Sequence, residues 1–240
     1  MNFSKGFRDG IPIGLGYLSV SFTFGMMAAR GGLTIAQAVF ISMTNVTSAG
    51  QLAGLNLLVA GAPMLEAALT QFIINLRYAL MSLSLSQKLD GSMTTLHRML
   101  FAFCNTDEVF AVAAGQKGQV GKSYLYGLIT APYIGWALGT FLGAAAGTLL
   151  PDILRDALGV AIYGMFIAIV VPPSKHNGAV RLAVILSAAL SCAMFYIPGL
   201  NQISSGFSII ICAVVVSALC AKFFPIPDEI DASEKGGDAV

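Results

Sequence analysis

Charged side chains are scarce in this chain of 240 residues. Only 10% are Asp, Glu, Lys or Arg, against about 25% in an ordinary soluble domain, whereas 56% are hydrophobic. The charges are also clustered, since residues 10–29, 123–151 and 182–221 carry none. A helix needs roughly 20 mainly apolar residues to cross the hydrocarbon layer of a bilayer. This scarcity excludes an ordinary soluble domain and indicates an all-α polytopic membrane protein.

The chain also lacks the groups and motifs that enzymes use. It has two histidines, His97 and His176, and no HExxH, G-x-S-x-G or P-loop sequence. Its four cysteines stand singly in apolar surroundings without a C-x-x-C pair, which is typical of small packing residues. No Cys/His cluster suggests a metal site, and no basic-aromatic surface suggests nucleic acid. We therefore predict no enzyme, no cofactor, no metal and no nucleic-acid partner.

The net charge of +1 conceals an asymmetry between the body and the tail. Residues 1–224 hold twelve Lys/Arg and seven Asp/Glu, whereas the last 16 hold one Lys and five acids. We predict a single integral membrane transport domain over residues 1–224 and an acidic, disordered cytoplasmic tail over residues 225–240. The run Gly10–Ala29 is too long for a cleaved signal. It predicts a first transmembrane helix with Pro12 in its first turn.

Charge placement predicts which segments cross the bilayer. Eight hydrophobic segments are recognised: 10–29, 34–60, 63–86, 98–115, 123–150, 157–173, 179–197 and 206–223. If all eight cross, the basic clusters fall on both sides, against the preference of positive charge for the cytoplasm. If 34–60 and 98–115 instead dip in and return, six full spans remain and every cluster and both termini are cytoplasmic. Broken segments from opposite sides fit a transporter with inverted halves; the alternative is seven or eight plain spans.

The first of these broken segments has a polar middle, "MTNVTSAGQLAGLN" over residues 43–56. A helix break near Ser48 would aim free backbone N–H groups at a substrate carboxylate. We expect four side chains to line the site: Asn45, Thr47, Ser48 and Gln51. The alternative is helix packing, in which such hydrogen bonds are worth only about 0.6 kcal/mol on average.

The next two segments place charged groups within apolar stretches. Arg77 lies near the middle of residues 63–86, two residues after Asn75; an Arg at that depth costs about 2.5–3.5 kcal/mol and needs a carboxylate or a bound anion. Asp107 and Glu108 are the natural partners, and adjacent side chains on a helix point about 100° apart, so one carboxylate can face Arg77 while the other titrates. The alternatives are a structural or snorkelling Arg77 and a surface loop around the two acids.

Small residues recur at every fourth position of the fifth segment. They are Gly127, Ala131, Gly135, Gly139, Gly143 and Gly147. Such a ridge lets another helix approach closely, so it predicts a contact seam within the subunit or with a partner chain. Pro198 and Gly199 predict a short loop between the last two spans.

Four stretches of the chain resemble the AzlC (azaleucine-resistance) family of branched-chain amino acid exporters. They are "FRDGIPIGLGY", "TSAGQLAGLNLLVAGAPMLEAALTQFIINLRYAL", "NTDEVFAV" and "LGVAIYGMFIAIVVP". The resemblance implies the large subunit of a secondary exporter for leucine, isoleucine and valine, with methionine as a further candidate. It further implies a small AzlD-like membrane partner and coupling to the proton gradient. The chain departs from the family pattern at Tyr78, where a His is common, and over residues 160–162, where an acid is common.

We therefore expect an alternating-access exporter in the cytoplasmic membrane. Asn75 and Arg77 would face the polar stretch across the substrate, and Arg77 would bind its carboxylate or hold Asp107 ionised. Asp107 or Glu108 would carry the coupling proton. Two alternatives remain: a passive channel or facilitator for small amphiphilic solutes, and a non-transporting membrane scaffold subunit.

Overall fold

The computed structural model describes residues 2–147 and 170–224, together with residues 151, 153, 163, 164 and 167. These residues form two compact units, Met1–Phe166 and Ile167–Val240. The described chain is helical and contains no β-strand. The acidic tail, most of the 157–173 segment and the departure at 160–162 lie outside the described residues, and the prediction of one domain over residues 1–224 stays a prediction.

The first unit contains long helices and two pairs of short ones. Its helices are α1 (Phe3–Arg30), α2 (Ile35–Thr44), α3 (Ser48–Val59), α4 (Met64–Ser86), α5 (Thr95–Phe103), α6 (Asp107–Ala114) and α7 (Lys122–Ala146). The second unit contains α8 (Gly178–Tyr196), a 3₁₀ turn (Leu200–Gln202) and α9 (Ser205–Phe223). Gly199 precedes the 3₁₀ turn with a φ of 93°, which confirms the predicted loop.

Helix α1 starts one to two turns earlier than its apolar run. Asn2 caps it by accepting a hydrogen bond from the Lys5 backbone N–H at 3.1 Å, so the charged residues before Gly10 are helical. The predicted start at Gly10 is therefore wrong, and Pro12 lies inside the helix. A helix can extend past the apolar run because its backbone bonds do not depend on side-chain polarity.

Helices α1 and α7 pack in parallel at very short separation. A methyl group added to Gly10 would lie 2.4 Å from the Leu128 carbonyl oxygen, and one added to Gly25 would lie 2.2 Å from that of Thr140. Residue numbers therefore rise together along both helices. The predicted small-residue ridge of α7 is confirmed as a contact seam, and its partner is the matching glycine row of α1.

The first broken segment enters the first unit and returns to the same end. A methyl group on Gly31, directly after α1, would lie 2.6 Å from the Val59 side chain at the end of α3. In between, the chain breaks at residues 45–47, where Val46 packs with Tyr17 and Trp136 from the middles of α1 and α7. Residues 34–60 thus form a re-entrant hairpin, as predicted.

The second broken segment enters the first unit from the opposite end and returns to that end. His97, at the start of α5, hydrogen-bonds Tyr126 in the first turns of α7 at 2.8 Å. Gln116, beyond α6, accepts from Lys5 Nζ at 2.7 Å near the start of α1. Both ends of the hairpin therefore lie beside the N-terminal ends of α1 and α7, and the predicted second break is confirmed at residues 104–106.

The loop that joins α4 to this second hairpin is held against the segment before α7. The Asp90 backbone N–H donates to the Val120 carbonyl oxygen at 3.0 Å, and the Val120 N–H donates to that of Lys88 at 3.0 Å. The hydroxyl and backbone N–H of Ser92 both donate to the Asp90 carboxylate, which lowers the pKa of that carboxyl. The loop is thereby fixed at the end where α7 begins.

Helix α4 crosses between the two hairpins in the direction opposite to α1. Four described helices are long and apolar enough to span a membrane, namely α1, α7, α8 and α9. Helix α4 has 23 residues, about 34 Å at 1.5 Å per residue, but it carries polar side chains along its length. Helices α1 to α3 thus form a long helix with a hairpin at one end. Helices α4 to α6 repeat this arrangement in the opposite direction.

Candidate functional site

Polar side chains of α4 hold the break of the first hairpin. Gln71 Nε2 donates to the Gly50 carbonyl oxygen at 2.7 Å. Gln71 Oε1 accepts from Asn45 Nδ2 at 3.3 Å and from Asn75 Nδ2 at 3.2 Å. Asn45 Oδ1 in turn accepts from the Thr47 hydroxyl at 2.8 Å. Two of the predicted side chains of the hairpin are therefore brought together with Asn75.

Backbone N–H donors at the start of α3 lie beside an oxygen acceptor of α4. Thr47 is the N-cap residue, but its side chain makes no cap hydrogen bond, and the half-buried Ser48 follows it. Asn75 Oδ1 is buried and, among the described residues, has no hydrogen-bond partner. A methyl group on Gly50 would lie 3.2 Å from this oxygen and 2.9 Å from Gln71 Oε1. Only Gly leaves this space between the oxygens open.

Gln51 occupies a different environment from the other predicted residues of the hairpin. It is 1% exposed; its Oε1 accepts from Trp136 Nε1 at 2.8 Å, and its Nε2 donates to Ser42 Oγ. Ser42 also hydrogen-bonds Thr140 at 2.6 Å. Through these contacts the side-chain amide of Gln51 connects α3 to α2 and α7.

Arg77 pairs with Asp107 across the interface between α4 and α6. Its Nη1 donates to both carboxylate oxygens, while Nη2 donates to the Tyr78 hydroxyl at 2.9 Å. The guanidinium also lies 4.6 Å from the Tyr78 ring centroid. The two side chains of the ion pair are 44% and 38% exposed, so the pair is not enclosed in the protein core.

Glu108 faces away from Asp107 and meets Tyr17. The Tyr17 hydroxyl donates to the Glu108 carboxylate and lies 2.6 Å from Thr106 Oγ1. The two adjacent carboxylates thus contact different partners, as their predicted angular separation requires. Because Tyr17 lies near the middle of α1, the first turn of α6 lies at that depth and not in a loop at the helix ends.

Tyr17 and Trp136 join the two hairpin breaks, and neither was predicted to do so. Their rings contact edge to face at 5.0 Å between centroids; Val46 of the first break packs on both, and Thr106 of the second bonds to Tyr17. Trp136 is the only tryptophan of the chain and lies within the glycine ridge, which the sequence predicts only as a contact seam. An aromatic N–H or O–H donor in the middle of a span is the signal that could have identified both.

A family profile described as "AzlC protein" matches residues 12–150. The chain is 28% identical over 236 residues to "Inner membrane protein YgaZ" of Escherichia coli (strain K12), covering 95% of this chain and 94% of that protein. It is 33% identical over 193 residues to an "Uncharacterized membrane protein" of Archaeoglobus fulgidus, covering 75% and 84%. No solved structure matches significantly. The relatives are membrane proteins, and so is this chain.

Proposed function

Because the chain belongs to the AzlC family, we propose that it is a secondary active exporter of branched-chain amino acids. The substrates are leucine, isoleucine and valine, with methionine as a further candidate. Transport is coupled to protons and requires a small AzlD-like membrane subunit. The protein lies in the cytoplasmic membrane with both termini in the cytoplasm, an orientation supported by the placement of its basic clusters.

The observation that carries this proposal is the meeting of the two hairpins. They enter the first unit from opposite ends, and their breaks meet on Tyr17 near the middle of α1. Non-helical backbone at membrane depth is tolerated only where protein or a water-lined cavity satisfies it, and secondary transporters place their substrate sites at such breaks. This arrangement supports alternating access better than a scaffold, which needs no broken helices.

The first break supplies groups of both signs for an amino acid. The uncapped first turn of α3 offers backbone N–H donors and the positive end of a helix dipole to a carboxylate. Asn75 Oδ1 and its neighbours around Gly50 offer acceptors to an ammonium group. Discrimination among leucine, isoleucine and valine should be weak, since one methylene is worth about 1–3 kcal/mol.

The second break supplies the groups for proton coupling. Arg77 pairs with the Asp107 carboxylate, and Glu108 accepts a hydrogen bond from Tyr17. The proton and the ammonium group of the substrate would compete for the Asp107 or the Glu108 carboxylate, because each neutralises the same negative charge. Release of the proton from that carboxylate would then let the amino acid bind, which is a simple basis for exchange.

Radiolabelled leucine uptake into everted membrane vesicles tests the proposal. An acidified lumen should drive leucine uptake when this chain and the AzlD-like partner are made together, and uptake should collapse when a protonophore dissipates the gradient. A channel would carry leucine without responding to the gradient. A scaffold subunit would give no leucine binding by the purified chain. Either result would reject the exporter.

A further inference from the structure

A cavity lies between α4 and α5, away from the first break. Its volume is about 370 Å³, within the range of about 300–1,000 Å³ that is typical of small-molecule sites. Ser82 and Leu85 of α4 line one side, Arg98 and Phe101 of α5 line the other, and Asn105 closes the inner end. We call this space the α4–α5 pocket.

The inner end of the α4–α5 pocket carries an unsatisfied acceptor. Asn105 is 2% exposed, and its Nδ2 donates to Ser82 Oγ at 3.1 Å. Its Oδ1 is buried and lacks a hydrogen-bond partner among the described residues. Because buried polar atoms are nearly always hydrogen-bonded, this oxygen is an open acceptor on a residue that lines the pocket.

The rest of the pocket is apolar, with a cation at its mouth. Leu85 and Phe101 are 3% and 4% exposed and form its walls. Arg98 is exposed; its Nε donates to the Met93 carbonyl oxygen at 3.2 Å, and it forms no ion pair with the described residues. Leu89 and Thr95 lie at the same outer end, beside the loop that connects α4 to α5. The pocket therefore runs from that loop to the break of the second hairpin.

We propose that the α4–α5 pocket is the cytoplasmic loading site for the substrate, an apolar α-amino acid. This inference rests on the proposed export function and its orientation. Arg98 attracts the anionic carboxylate as the amino acid enters the mouth. In the loaded position the ammonium donates to Asn105 Oδ1 and the aliphatic side chain contacts Leu85 and Phe101. Asn105 directly precedes Thr106, which hydrogen-bonds Tyr17, so the loaded substrate lies next to the junction of the two breaks.

Cysteine protection in everted vesicles containing the full chain and its partner tests this site. Ala102 lines the α4–α5 pocket, whereas Leu96 lies on the same helix, 64% exposed and outside the pocket. A fully cysteine-free background is unnecessary because Cys104 is buried; Cys192, Cys212 and Cys220 are replaced by Ser. Leucine should slow maleimide labelling of the Ala102→Cys variant and leave that of the Leu96→Cys variant unchanged. Adding Asn105→Leu should weaken this protection about tenfold or more, because a hydrogen bond to a charged group is lost.

The outcomes separate this site from the export function. Equal labelling of the Ala102→Cys variant with and without leucine, in vesicles that still transport leucine, overturns the loading site and leaves the exporter intact. Labelling that is blocked by lipid and insensitive to leucine assigns the pocket to an acyl chain and also overturns it. Protection by leucine without gradient-driven uptake supports the site and rejects the proposed coupling. The test at Ala102 does not depend on whether the Asn105 variant folds.

Discussion

Tyr17 contacts the breaks of both hairpins. Its hydroxyl bonds to the second break and its ring packs against the first. Because it lies on α1, which is fixed to α7 by backbone contact, Tyr17 can hold both breaks against a rigid support. A change in the charge of Glu108 therefore acts on a side chain that touches both hairpins.

Replacing Tyr17 with Phe tests this role. The ring contact with Trp136 should persist, but Glu108 and Thr106 lose a hydrogen-bond partner, and a bond to a charged group is worth about 1.5–3 kcal/mol. We expect gradient-driven leucine uptake to fall about 10- to 100-fold with normal amounts of protein in the membrane. Tyr196→Phe, on an exposed position of α8, is the matched control. Unchanged uptake by the Tyr17 variant would show that the hydroxyl is dispensable.

The Arg77–Asp107 pair is expected to serve coupling as well as stability. Arg77→Gln should abolish leucine uptake and lower the melting temperature, because it leaves a carboxylate at membrane depth without its partner. Adding Asp107→Asn should restore the melting temperature without restoring the response to a pH gradient. Both quantities can be measured on the same purified and vesicle preparations.

Two results would contradict this assignment. Normal uptake by the Arg77→Gln variant would remove Arg77 from the site, and recovery of gradient-driven uptake in the double variant would reduce the pair to a structural contact. Arg181→Gln, at an exposed position of α8, controls for the loss of a positive charge and should transport normally.

At the scale of elements, the seam between α1 and α7 is the support on which both hairpins rest. A methyl group on Gly143 would lie 1.9 Å from the Phe22 carbonyl oxygen, whereas one on Gly16 of α1 would meet nothing within 4 Å. Gly143→Ala should therefore destabilise the protein by about 1–3 kcal/mol, as overpacking does, and lower the melting temperature by about 2–4 °C per kcal/mol. Gly16→Ala should not lower it. Equal melting temperatures would show that the two helices can move apart without cost.

The sequence predicts the elements better than it predicts their contacts. Scarce charge and polar interruptions identify the four long apolar helices of the described residues and both breaks, because hydrophobic length and backbone satisfaction are local requirements. The glycine ridge of α7 is predicted, but its partner is not, since spacing alone does not say which helix fills a groove. Gln51 and Trp136 show the same limit. Their hydrogen bond joins positions 85 residues apart, and only the folded chain reveals that it fastens α3 to α7.

At the scale of the whole molecule, the proposed orientation places the ends of each hairpin on one side of the membrane. Ile35→Cys and Ala60→Cys flank the first hairpin and should react with an impermeant maleimide from the same face. Leu96→Cys and Lys117→Cys flank the second and should react from the opposite, cytoplasmic face. All four positions are exposed, so labelling in right-side-out and everted vesicles can be compared directly.

Seven or eight plain spans give the opposite pattern, because each flanking pair would then be split across the bilayer. The structure favours the hairpin pattern, since Gly31 adjoins Val59 and Lys88 Nζ donates to the Ala114 carbonyl oxygen at the other end. Labelling of Ile35→Cys and Ala60→Cys from opposite faces would contradict the first hairpin. The two breaks would then no longer be expected at the same depth in the membrane. The exchange of a proton for a substrate between the two breaks would then lose its geometric basis.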